Sequence, residues 1–232
     1  MSVDLVIFDC DGVLVDSEPI SVALLVEMIT RAGHPFDAGA VYARFLGRSM
    51  ASVCALLAED PGLVVTPADL DRLRLDLYAR FRRELAAVEG VADVLGRLGR
   101  PFCVASSSQP ERIRLSLDVT GLRDRFEPNI FSASMVANGK PAPDLFLLAA
   151  GRMGVDPARC VVIEDSAAGV EAARRAGMAV FAFTGGSHAV PAGLAATLAG
   201  LAPDAIFDRM EALPDLVARV EAAGGPARRG AT

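Results

Sequence analysis

Two aspartates separated by one residue, Asp9 and Asp11, close the apolar run from Val3 to Phe8 and lead directly into Gly12. Side chains in a strand alternate between faces, so this spacing predicts that both carboxylates point to one side and Cys10 to the other. Such a pair can supply a nucleophile and a general acid/base. Taken alone it is equally an ordinary polar junction between strand and loop. Ser106, Lys140 and the adjacent pair Glu164 and Asp165 lie at or near the ends of later apolar blocks. If those blocks are strands of one parallel sheet, all these groups converge on the same edge. Four carboxylates in one pocket repel each other by about 4 kcal/mol for a pair 4 Å apart at an effective dielectric near 20, so they need a counter-charge. Lys140 and a divalent cation would supply it. Hard oxygen donors without His or Cys select Mg²⁺, which keeps several waters and takes one or two carboxylates together with a substrate phosphate. Ser106, at a turn that opens a helix, offers a hydroxyl beside free N–H groups that favour a phosphate oxygen. The other reading of Ser106, a helix cap, is compatible with that one.

The elements that would carry these residues can be read from the apolar pattern. Val3 to Phe8 is nearly continuous apolar sequence, the mark of a strand buried on both faces. Three further blocks repeat it: Pro101-Phe-Cys-Val-Ala105 before Ser106, Cys160-Val-Val-Ile163 before Glu164, and Met178 to Phe183 before Thr184. Amphipathic stretches such as residues 91–98 and 144–153 precede them, and strands alternating with helices predict βαβ units and a parallel sheet. In such sheets ligands sit beyond the carboxyl ends of the strands. From Ser17 to about Glu89 no strand pattern occurs. Asp16 and Ser17 can cap a helix that tolerates Pro19, runs to about Arg31 and has Gly33 as its C′ residue. Thr66-Pro-Ala-Asp69 is close to a capping box, and behind it Leu70, Leu73, Leu77 and Phe81 recur at helical spacing, a packing stripe.

Composition sets the limits. With 232 residues and 52% of them hydrophobic, the chain can bury a sizeable core, and one core domain carrying a large insertion suits its length. A net charge of -6 with no basic run argues against nucleic acid as a partner. Only two histidines, His34 and His188, are present, so a His-rich zinc site is excluded and carboxylates, hydroxyls or a lysine must do any chemistry. Cys10, Cys54, Cys103 and Cys160 are widely spaced, form no CxxC pair and fit buried thiols in a reducing compartment. No targeting signal and no long uncharged apolar run is legible, so a cytoplasmic protein without a membrane partner is expected.

The motifs together carry a family resemblance. Asp9-Cys-Asp-Gly-Val-Leu-Val-Asp-Ser-Glu18 resembles the first motif of the haloacid dehalogenase superfamily, Val104-Ala-Ser-Ser107 its second, Gly139-Lys-Pro-Ala-Pro-Asp144 its third and Ile163-Glu-Asp-Ser-Ala-Ala-Gly169 its fourth. The helical insertion after the first motif resembles the cap of the subgroup that holds β-phosphoglucomutase and small sugar-phosphate phosphatases. The resemblance implies an α/β fold, a Rossmann-like doubly wound parallel sheet core with an inserted all-helical cap domain. Its division would be 1–16 and 87–225 for the core, 17–86 for the cap, and 226–232 as a disordered tail. It implies that Asp9 attacks phosphorus and that Asp11 serves as acid and then base. Ser106, Ser107 and Lys140 would hold the phosphoryl oxygens, and Mg²⁺ would sit on Asp9, the Asp11 backbone carbonyl, Asp165 and Glu164. Glu18 and Arg48, the latter in a cap loop Gly47-Arg48-Ser49, would meet the substrate.

The expected partner is a small phosphorylated metabolite. Stretches including Arg44-Phe-Leu-Gly47 and Gly177-Met-Ala-Val-Phe181 point to 6-phosphogluconate phosphatases. Members that cleave carbon–halogen or phosphonate bonds lack the second aspartate, which is present here. A sugar phosphomutase is the alternative, but the His such mutases carry in the first cap helix is Ser21 in this chain. A receiver-type phospho-acceptor also combines acids, a hydroxyl and a lysine, without a helical insertion after its first strand. A monomer is the expected state, with a dimer as the alternative.

Overall fold

The computed structural model describes residues 2–45 and 50–222 of the 232. Its centre is a sheet of six parallel strands in the order β3-β2-β1-β4-β5-β6: β1 Leu5–Phe8, β2 Phe102–Ser106, β3 Ile130–Ser132, β4 Cys160–Glu164, β5 Ala179–Phe183 and β6 Ala205–Phe207. The central strands β2, β1, β4 and β5 are apolar up to their carboxyl ends because both of their faces are covered. Val6, Phe8, Val104, Val161, Ile163 and Phe181 join one core with Phe126, Val94 and Val217. Leu5, Ile7, Cys103, Ala105, Val162 and Val180 join the other, packed on Phe146, Ala149 and Val170. The four strands expected from the sequence are there. The two edge strands, β3 and β6, were not anticipated, because three residues are too few to show a period. The first strand also starts at Leu5 rather than Val3, since the Val3 N–H is already bonded to Glu221 Oε1 at 2.9 Å.

Between β1 and β2 the chain is helical: α1 Glu18–Arg31, α2 Ala38–Phe45, α3 Met50–Glu59, α4 Pro67–Glu84 and α5 Val91–Arg97. Val22, Leu25, Ile29, Val41, Phe45, Val53 and Leu57 form a core of their own. The outgoing and returning chains meet as a short antiparallel pair at Val15 and Ala87, where the Asp16 N–H donates to Ala86 O and the Val88 N–H to Leu14 O, each at 3.0 Å. The capping box opening α4 forms: the Asp69 N–H donates to Thr66 Oγ1 and the Thr66 N–H to Asp69 Oδ2. On the expected stripe Phe81 is fully buried and reaches the main core, whereas Leu70, Leu73 and Leu77 are half-buried. Ser17 occupies the cap position of α1, but its hydroxyl does not cap the helix.

The remaining connections are α6 Pro110–Val119, α7 Arg123–Phe126, α8 Asp144–Met153, α9 Ala167–Arg175, α10 Leu194–Ala199 and α11 Leu213–Ala222. α6 and α9 begin where β2 and β4 end, so their first turns stand at the edge of the sheet where the polar groups collect. Among the described residues no helix is long and apolar enough to cross a membrane. The expected tail 226–232 lies outside the described residues.

Candidate active site

The carboxyl ends of β1, β2 and β4 bring together Asp9, Lys140, Glu164 and Asp165. Lys140 reaches them from the loop ahead of α8. Its Nζ donates at 2.6 Å to Asp9 Oδ1, at 2.6 Å to Glu164 Oε1 and at 3.0 Å to Ala105 O, the last residue but one of β2. The Lys140 side chain is 4% exposed, and although burial opposes its charge, Asp9 and Glu164 outweigh burial and raise its pKa. Glu164 also accepts from the Ser166 N–H at 2.9 Å and the Ser166 hydroxyl at 2.8 Å, while that hydroxyl accepts from the Gly169 N–H to cap α9. One carboxylate oxygen each from Asp9, Glu164 and Asp165 lie within 4.8 Å of one another.

This cluster is short of positive charge. Burial pushes the Asp9 carboxyl up against the pull of Lys140, and the charges of Glu164 and Asp165 push the same way. Burial and then Glu164 likewise raise Asp165. Three buried hard oxygens with one ammonium between two of them suit a small divalent cation. The backbone is cleared for the arrangement at Gly12. Its φ is +80°, and a Cβ there would stand 1.8 Å from Asp165 Oδ2.

Cys10 lies in the same core as Val6 and Phe8, as the alternation expected from the sequence requires, while Asp11 takes partners of its own rather than those of Asp9. The strand ends at Phe8, and the chain then folds into a tight loop in which the Leu14 and Val15 N–H groups both donate to Cys10 O. Ladder pairing reaches one residue past Phe8, with the Asp9 N–H donating to Ile163 O at 3.0 Å. The Asp11 carboxylate accepts from the Ser17 hydroxyl at 2.7 Å, the Ser108 hydroxyl at 2.6 Å and Arg112 Nη2 at 2.8 Å. Burial would raise its pKa, but Arg112 and the two hydroxyls prevail and hold it below the ordinary carboxylate range. The same guanidinium lies 5.4 Å from the ring centroid of Phe81 on α4, so one side chain joins α6, the β1 loop and the helical insertion.

Of the other predicted residues, Ser106 is buried at the end of β2 with its Oγ accepting from the Ser108 N–H at 3.1 Å, and Ser107 is exposed beside it. Glu18 opens α1. Burial, with the charge of Asp11 adding to it, pushes its carboxyl up to about 7, and Arg112, Asp165 and His188 also act on it. Arg48 lies outside the described residues. Sequence reasoning missed Arg112, Ser108 and His188, and it assigned Ser17 only to capping. The position of Arg112 in the first turn of the helix after β2 was the available signal. For His188 it was the segment Thr184-Gly-Gly-Ser-His188, which follows the carboxyl end of β5. His188 is 2% exposed, with Nε2 3.1 Å from Asp165 Oδ2, and burial lowers its pKa.

A parallel sheet with this order, two aspartates after its first strand and a lysine between acids suit a hydrolase of the phosphatase type, the class to which the family match and the relatives belong. The family model of haloacid dehalogenase-like hydrolases matches residues 3–177, and the chain belongs to that family. It is 30% identical over 190 residues to the 6-phosphogluconate phosphatase of Escherichia coli, covering 82% of this chain and 86% of that one. A haloacid dehalogenase-like protein of unknown function from Agrobacterium tumefaciens superposes with a TM-score of 0.84 at 36% identity, covering 94% and 99% of the two chains. A family hydrolase from Deinococcus radiodurans, solved with bound phosphate and sodium, gives 0.77 at 35% identity over 95% and 96%.

Proposed function

We propose that the chain is a Mg²⁺-dependent phosphomonoesterase that hydrolyses a small, sugar-derived phosphate through an aspartyl-phosphate on Asp9. The observation that carries the proposal is Lys140 Nζ bridging Asp9 and Glu164 at 2.6 Å each, with Asp165 completing a set of buried oxygens. Asp9, Glu164, Asp165 and the backbone carbonyl of Asp11 would hold the cation. When bound, Mg²⁺ would neutralise charge on the phosphoryl oxygens and on the acids around them.

In the first step an Asp9 carboxylate oxygen forms a bond to phosphorus as the bond to the sugar oxygen breaks, and Asp11, protonated, gives its proton to the departing alkoxide. In the second, Asp11 takes a proton from water, the water oxygen bonds to phosphorus, and the bond to Asp9 breaks to release inorganic phosphate. The donors on Asp11 favour its ionised form, the one required for the second step. Donation to the alkoxide requires that Asp11 take up a proton and give up at least one of those contacts. Lys140, with Ser106 and Ser107 at the end of β2, would hold the equatorial oxygens through an in-line transfer.

We further propose the division into a core of residues 1–16 and 87–225 and a cap of residues 17–86. The antiparallel pair at Val15 and Ala87, where the chain leaves and re-enters the sheet domain, supports it. Glu18 would then present a carboxyl to substrate hydroxyls from the cap, with Arg48 as a second cap contact. A sugar acid phosphate of the 6-phosphogluconate kind is the first substrate to try, given the relative named for it.

The test is phosphate release from a panel of sugar phosphates, 6-phosphogluconate and phosphoglycolate, with and without Mg²⁺. Asp9→Asn should abolish turnover without loss of fold, and Asp11→Asn should slow it strongly or trap the phosphoenzyme. Near-normal phosphate release by either variant would overturn the mechanism.

A further inference from the structure

We propose that His188 is a positioning residue for the cation site, fixing the carboxylate of Asp165. The inference rests on the reading of Asp9, Glu164 and Asp165 as cation ligands. His188 acts through Asp165 and touches no reacting atom.

Three features of the structure converge on this side chain. Its imidazole is almost completely enclosed, with Nε2 3.1 Å from Asp165 Oδ2, while Nδ1 has no hydrogen-bond partner among the described residues. An apolar side chain could fill that space without burying an unpaired nitrogen, so packing alone gives no reason for a histidine there. Two glycines make room for the ring. A Cβ on Gly186 would lie 2.7 Å from both Cε1 and Nδ1, and one on Gly12 would lie 2.9 Å from Cε1. The segment is also pinned on both sides of the ring. The Thr184 N–H donates to Phe207 O at 2.8 Å, the Ser187 N–H to Asp16 Oδ1 at 3.2 Å and the Ala189 N–H to Gly186 O at 2.9 Å.

The three acids also differ in what holds them. Asp9 is gripped by Lys140, and Glu164 by Lys140 and Ser166. Among the described residues, His188 is the side chain in ion-pair or hydrogen-bond range of the Asp165 carboxylate. With Oδ2 tethered, the other oxygen of Asp165 has a defined direction, which a freely turning carboxylate lacks. Partners behind a metal ligand commonly set affinity in this way, and their loss costs about 10–100-fold in metal binding.

The experiment measures Mn²⁺ binding by electron paramagnetic resonance of the free ion, and Mg²⁺ binding by calorimetry, on the folded protein without substrate. His188→Gln should bind both ions about 10–100-fold more weakly, and the Mg²⁺ concentration for half-maximal activity should rise by the same factor. At saturating Mg²⁺ its kcat should recover. Gly186→Ala keeps the imidazole but displaces it, and should weaken binding in the same direction. It also decides the question if His188→Gln does not fold. Asp165→Asn separates the two readings. If it binds the ions as tightly as wild type, the ligand assignment fails and this inference with it. If Asp165→Asn loses binding while His188→Gln or Gly186→Ala keeps wild-type affinity, the role of His188 is refuted and the ligand assignment stands.

Discussion

Gly169, in the first turn of α9, offers a severe test of how tightly the acidic cluster is held. Alanine in a helix normally gains up to about 1 kcal/mol over glycine. Here a Cβ would stand 1.9 Å from both Cδ and Oε1 of Glu164 and 2.3 Å from Oε2, so Glu164 must move by more than 1 Å to reach ordinary contact. It has nowhere to go without loss, being fully buried and bonded to Lys140 Nζ, the Ser166 N–H and the Ser166 hydroxyl. Hydrogen bonds to charged groups contribute about 1.5–3 kcal/mol each, and overpacking costs about 1–3 kcal/mol more. Losing one such bond already exceeds the helical gain, and the net destabilisation of Gly169→Ala should be about 2–5 kcal/mol. At about 2–4 °C per kcal/mol for domains of 150–250 residues, the melting temperature should fall by roughly 4–20 °C. Phosphatase activity should fall at least about 100-fold, the cost of misplacing a site by about 1 Å. Gly151 is the control. It lies exposed inside α8, where a Cβ would meet nothing within 4 Å, so Gly151→Ala should raise stability by about 0.5–1 kcal/mol and leave activity alone. Thermal unfolding by circular dichroism and phosphate release on the same samples decide it. A Gly169→Ala protein that melts at or above wild type with full turnover would refute the reasoning.

Two further outcomes concern stability away from the site. Glu221 accepts from Arg100 and from the Val3 N–H, and these bonds hold its carboxyl below the usual range. A depressed folded pKa contributes stability above the unfolded value of about 4.3 and loses it as pH falls through the lower folded value. The stability difference between wild type and Glu221→Gln, measured in urea, should therefore shrink as pH drops below about 4.3, and a difference that grew would contradict the sign. Thr66→Ala removes the side chain that accepts the Asp69 N–H at the start of α4, and it should cost about 1 kcal/mol. Faster amide exchange in the first turn of α4, with α9 unchanged, would localise that loss.

The sheet was legible wherever burial on both faces left an unbroken apolar run. Leu5 to Phe8 and Cys160 to Ile163 have to be central strands because every side chain in them is buried. Ile130–Ser132 and Ala205–Phe207 were not legible, because an edge strand of three residues leaves no periodic trace and forms only against a neighbour already in place. The same distinction runs through α1. Its start at Glu18 could be read from Ser17 and Pro19, but the partner of the Ser17 hydroxyl could not, because Asp11 offers that hydroxyl a charged acceptor and local capping does not.

The site divides along the same line. Asp9, Lys140, Glu164 and Asp165 could be gathered from sequence because each follows a recognisable strand or stands in a distinctive string. Lys140, the partner of Asp9 and Glu164, was among them, whereas Arg112 beside Asp11 and His188 beside Asp165 were missed. A count of two histidines says how little imidazole chemistry is available, and nothing of where His188 falls once β5 has been placed two strands from β1. Arg112 was hidden for a related reason: a single arginine in a helix rich in Glu, Arg and Asp reads as a solvated face. It becomes a partner of Asp11 only when α6 starts beside the end of β1 and Phe81 covers the guanidinium from the insertion. Both residues take their meaning from crossovers between distant parts of the chain. The acids and Lys140 are therefore written locally in the sequence, while the partners that Asp11 and Asp165 find in Arg112 and His188 are written in the topology.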